Sequence, residues 1–155
     1  MRWLRLFVQR LRGLPAASDQ QIGGAAEVSF TTLLSLTTRV RVWHDGANGE
    51  NRQDFRVHAV VEAPEPLERL RALLRAVETT GSLRMSCAAA VLELLAADGR
   101  RLATIDVLDS ARVRWSGWES DRQADVELLR WLATHGVSGP LDAWLRWRSR
   151  ASRPG

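Results

Sequence analysis

The sequence predicts an α+β fold: a five-stranded, mainly antiparallel sheet in ββαβββα order with helices packed on one face, preceded by an amphipathic N-terminal helix. Three observations predict it. The 155 residues, 45% apolar and 26% charged, suit one ordinary domain with its own core. The apolar period switches between helical spacing and strict alternation along the chain. Glycine, proline and Asp-Gly pairs fall where the period changes. The same composition excludes a disordered acidic tail or a collagen-like chain, and no apolar run of about 18 residues is free of charge.

Trp3, Leu4, Phe7, Val8 and Leu11 recur at helical spacing, with Arg2, Arg5, Gln9, Arg10 and Arg12 on the opposite arc, so residues 1–12 read as a basic amphipathic helix ended by Gly13 and Pro15. Residues 13–26 are small or polar and read as a linker, and 27–148 as the single α+β domain. From Glu27 the period is two: Val28, Phe30, Leu34, Leu36, Val40 and Val42 predict one long strand, bent or broken near Ser35. A polar loop over Asp45–Gln53 and alternation from Phe55 to Glu62 complete a hairpin. Pro64 and Pro66 then open a helix with a Leu67, Leu70, Leu73, Leu74, Val77 stripe, closed by Gly81.

Three strands are expected next, over Leu83–Ala96, Arg101–Leu108 and Ala111–Trp115, with turns at Asp98-Gly99 and Asp109-Ser110. The run Ala88-Ala89-Ala90 leaves a helix as the alternative for part of 83–96, but the Asp98-Gly99 turn asks for a strand partner. Ser120 or Asp121 caps a helix running to about Thr134, and Pro140 starts a last one in which Leu141, Trp144, Leu145 and Arg148 share a face. Residues 149–155 read as a disordered basic tail. This element order is also that of profilin-like and roadblock/longin-type domains, an analogy of order without their sequence signatures.

Charge is distributed unevenly. All 22 basic residues are arginine, and the net charge is +4. Residues 1–12 carry +4 and residues 141–155 carry +3, which leaves −3 for the body between them. The basic pI therefore describes the two ends, and nucleic acid is disfavoured as a partner because no basic face runs across the fold. One cysteine, Cys87, permits no internal disulfide and favours a reducing compartment, so a cytoplasmic protein, peripheral at most to the inner membrane, is expected.

The segments Leu92-Glu93-Leu94-Leu95, Asp98-Gly99, Leu102-Ala103-Thr104-Ile105, Arg114-Trp115, Gly117-Trp118 and Leu128-Leu129-Arg130-Trp131-Leu132 carry a resemblance. Residues 86–136 resemble part of an uncharacterised bacterial α+β protein family to which no activity is attached. The resemblance implies the fold class and no reaction. Family members carry a second cysteine near Cys87 and histidines near Val107 and Leu108. This chain has neither, so any metal role those side chains have does not carry over.

Chemistry-bearing residues are sparse. Cys87 sits in Met85-Ser86-Cys87-Ala88-Ala89 without a nucleophile motif and reads as a small core residue, with catalysis as the lesser alternative. His44, His58 and His135 never fall at i, i+3 or i, i+4, so no metal is expected. Asp106 with Asp109, and Glu119 with Asp121, are explained by turns and caps. Gly46–Gly49 lacks the lysine and helix of a phosphate loop. No catalytic residue and no cofactor are expected.

Seven tryptophans against three phenylalanines and no tyrosine are the sharper signal. Trp115 and Trp131 read as core or core-edge, and Trp147 falls off its helix's stripe and should be exposed. The two cationic, Trp-bearing ends therefore supply the interaction candidates: Trp3, Phe7 and Arg10 at one, Trp144, Trp147 and Arg148 at the other. These predict a small non-enzymatic module that binds another protein, or a second copy of itself. Insertion of the N-terminal helix into an anionic membrane surface is the alternative.

Overall fold

A computed structural model describes residues 26–44, 55–83 and 86–154. The expected helix over 1–12, with Trp3, Phe7 and Arg10, lies outside the described residues, as do the 45–53 loop and the 13–26 linker up to Ala26. The described chain is α+β. In order it forms α1 (Ala26–Leu36), β1 (Arg39–His44), β2 (Arg56–Val61), α2 (Pro64–Arg75), β3 (Glu78–Thr79), β4 (Ala90–Leu95), β5 (Arg101–Val107), a 3-10 turn at Asp109–Ala111, β6 (Arg112–Arg114), β7 (Arg122–Gln123), α3 (Glu127–Thr134) and α4 (Gly139–Ala151).

Among the described residues the sheet has seven strands, not the expected five, in the order β2-β1-β4-β5-β6-β7-β3. Every strand pairing among the described residues is antiparallel. The two additional strands are two residues each. Such strands are too short for any periodicity to register. At the Asp98-Gly99 turn, the Asp98 carboxylate accepts from the Arg100 amide at 3.0 Å, and Gly99 takes φ +83°, which a side chain would strain.

Five further expectations need correction. The first part of the expected long strand is a helix, α1. Phe30 and Leu34, four apart, are buried together, and tertiary packing overrides the threonine-rich alternation. Thr37 and Ser35 spend their hydroxyls on carbonyls four residues back, at Leu33 and Thr31. The strand expected over 83–96 occupies only Ala90–Leu95. The helix expected from Ser120 or Asp121 begins at Glu127, because the Asp121 carboxylate turns inward to Arg114 and Arg122–Gln123 joins the sheet. The second expected helix stops at Arg75, well before Gly81, and the last continues through Ala151 into the expected tail.

All four described helices contribute to one apolar cluster with Val40, Val42, Val61, Ala90, Leu92, Leu94, Ala103, Ile105, Val107 and Val113, so they cover the same face of the sheet. Trp131 lies in this core and donates its indole N–H to the Pro66 carbonyl at 2.9 Å. On the alternate positions a smaller cluster, Trp43, Phe55, Ala88, Val91 and Leu108, lies on the opposite face.

Candidate interaction surface

The last helix is built in two halves. Gly139 and Pro140 open it, and Asp142 occupies the first turn, where the helix dipole favours an acid. Pro140 is buried, and Leu141 and Trp144 pack half-buried against the main core. Beyond Trp144 the burial ends: Leu145 through Pro154 are all exposed. The helix therefore extends about 10 Å past the last residue that the body covers.

Trp147 stands three residues after Trp144, on the face that anchors the helix, and is 60% exposed; Leu145 beside it is 46% exposed. Arg146, Arg148, Arg150 and Arg153 surround them. The Arg148 guanidinium lies over the Trp144 ring, 5.1 Å from its centroid, which holds a charge at the boundary between packed and exposed halves. Arg148 and Arg150 in the last turn match the negative end of the helix dipole, and the Ser149 and Ser152 hydroxyls donate to carbonyls at Arg146 and Arg148. The overhang is thus held helical by its own contacts while its apolar side chains face solvent.

The structure leaves the other chemical candidates dispersed. His44 and His58, remote in sequence, come within 6.1 Å between ring centroids through the β1–β2 pairing, a proximity no local spacing signals. His135 instead turns to its own helix, with Nδ1 2.7 Å from the Trp131 carbonyl. Among the described residues no group of three or more His, Cys, Asp or Glu side chains could hold a metal. Cys87 is exposed, which corrects its assignment to the core.

The sequence reading missed the burial of two carboxylates, Asp121, read there as a helix cap, and Glu93. Asp121 accepts from Arg114 Nε at 2.7 Å and from its terminal nitrogen at 3.1 Å, with Arg112 3.6 Å away. Glu93 accepts from the Trp43 indole at 2.8 Å and lies 3.6 Å from Arg41. Cross-strand neighbours bring each set together, Arg41 facing Glu93 and Arg112 facing Gln123. Both networks join strand to strand and serve the sheet.

Among the described residues no helix is long and apolar enough to cross a membrane. No family model matches the chain, and no curated protein or solved structure matches it.

Proposed function

We propose that this chain is a small, non-enzymatic protein-interaction module of a bacterial cytoplasm, and that it grips its partner with the exposed half of α4. The observation that carries this reading is Trp147, a large indole 60% exposed on a helix whose other half is anchored in the core. Exposing a tryptophan costs the free protein much of the burial such a ring provides, and Trp and Arg dominate the energetic centres of protein interfaces. The complementary surface is an apolar slot for Trp147 and Leu145, rimmed by carboxylates for Arg146, Arg148 and Arg150. Helix-in-groove docking has this form.

The double substitution Trp147→Ala with Arg148→Ala tests the proposal. Co-purification of bound protein with the tagged full-length chain is expected to fall by at least tenfold, and more steeply at low salt than at high salt. The urea midpoint should stay where it is, because neither side chain is buried. Retention of the same bound proteins at wild-type level overturns the assignment to α4. Loss of folding overturns the separation between anchored and exposed halves.

A further inference from the structure

The surface that α4 calls for, an apolar slot rimmed by carboxylates, has a counterpart on the chain itself. Val60, Val61, Glu62, Ala63, Pro66 and His135 line an open groove of about 430 Å³, where β2 runs into α2 beside the end of α3. Val60 is 52% exposed there, and Ala63 is exposed as well. Two exposed acids stand at the rim, Glu62 and, in the first turn of α2, Glu65. The groove is therefore apolar along its floor and acidic at its margin.

His135 gives the groove a directed acceptor. Its ring lies against Trp131, 4.2 Å between centroids, with Nδ1 2.7 Å from the Trp131 carbonyl oxygen. A carbonyl only accepts, so in the neutral ring Nδ1 carries the proton and Nε2 keeps its lone pair. An indole N–H is the complementary group, since tryptophan donates and does not accept. Within one chain Trp147 does not fill this groove: it is 60% exposed and is not among the groove's walls. α4 departs from Gly139, four residues after His135, and carries Trp147 about 12 Å along its axis from that start.

We infer that the overhanging half of α4 docks in this groove on a second copy of the chain. Trp147 lies over Val60, Ala63 and Pro66 with its N–H toward His135, and Arg146 and Arg150 lie beside Glu62 and Glu65. The inference rests on the reading of α4 as the gripping element and names its partner. Charge favours it: an end carrying +3 meets a body carrying −3. A two-fold axis makes the exchange reciprocal, each copy giving one overhang and receiving one. A tryptophan brings about 150–250 Å² of surface. Two such sites, counted on both partners, bury on the order of 1,000 Å², where specific interfaces begin.

Sedimentation velocity of the full-length chain over a concentration series tests the exchange, and the wild type is expected to dimerise. Trp147→Ala removes the anchor, and Ala63→Arg fills the groove with a cation. Both positions are exposed, so the urea midpoint should hold. Each variant alone should weaken the dimer by about tenfold or more. Mixed in equal amounts, the two variants should associate again through one intact site, the overhang of Ala63→Arg in the groove of Trp147→Ala. A tag on one and recovery of the other reads that heterodimer. A monomeric wild type, a dimer that both variants leave intact, or a mixture that yields no heterodimer overturns the inference. Where the wild type is monomeric but still loses other bound proteins on Trp147→Ala with Arg148→Ala, the reading of α4 stands and only its partner is refuted. Where that double variant keeps every bound protein, a second copy included, both readings fall together.

Discussion

Asp121 shows how much one buried carboxylate can organise. It is fully buried, and its two oxygens answer Arg114 in a fork while Arg112 approaches from the neighbouring position on β6. Arg112 in turn donates to the Thr80 hydroxyl at 3.1 Å and to Ser82, tying the chain after β3 to the same knot. Removing the carboxylate takes a buried counter-charge away from two guanidiniums. Asp121→Ala is therefore expected to cost about 3–5 kcal/mol in urea denaturation. Gly117 imposes a different constraint: a Cβ there would collide with the Trp115 ring, which is wedged against Phe30 and Trp118. Gly117→Ala should cost about 1–3 kcal/mol through repacking of that aromatic cluster, visible as a changed near-ultraviolet dichroism signal.

At the scale of elements, α1 owes its existence to what it packs on. Phe30 meets Trp115 at 5.1 Å and Trp118 at 4.7 Å between ring centroids, and Leu34 is buried beside it. Arg71 of α2 closes over its C-terminal end, donating to the Leu34 carbonyl at 3.0 Å and to that of Thr37. Phe30→Ala is expected to cost about 3–5 kcal/mol, with loss of protection in α1 amides ahead of the sheet. These partners lie far along the chain, which is why alternation alone pointed to a strand there. α2, whose leucine stripe is local, was legible from its own residues, as were the β4–β5 hairpin and the burial of Trp131.

α2 also carries a charge effect of known sign. Hydrogen bonding from Arg71, with lesser help from Arg75, holds the exposed Glu68 carboxyl below the usual carboxylate value. A lowered folded-state value means that the stabilisation is complete above the ordinary carboxylate range. It is lost as pH falls through the folded value. Glu68→Gln should remove that small acid-limb dependence and leave stability near neutrality almost unchanged, as solvent screening requires. Acid titration of the urea midpoint for both proteins reads it directly.

For the molecule as a whole, the sequence and the structure agree on class and differ on count. Long strands and leucine-striped helices declare themselves by period, whereas β3 and β7 exist only because Arg122–Gln123 finds Glu78–Thr79. Exposure of Trp147 was expected from the sequence, although the residue lies on the anchoring face of its helix. The abrupt end of burial after Trp144 was not, since it depends on how far the body reaches beneath α4. Composition separated the two ends from an acidic middle, but only the fold shows that one face of the sheet carries four helices while Leu95 lies buried on the other.

The two margins of the sheet are unequal. β3 offers two residues, while β2 at the other margin offers six, with a bulge where it faces Trp43. Fibrous growth needs a chain that can be templated and then act as template in turn, through two competent borders. Two residues present too little backbone to recruit a newcomer. Accidental sheet-to-sheet stacking of this protein must therefore stop at pairs, and its aggregates, when the native fold persists, should be finite rather than filamentous.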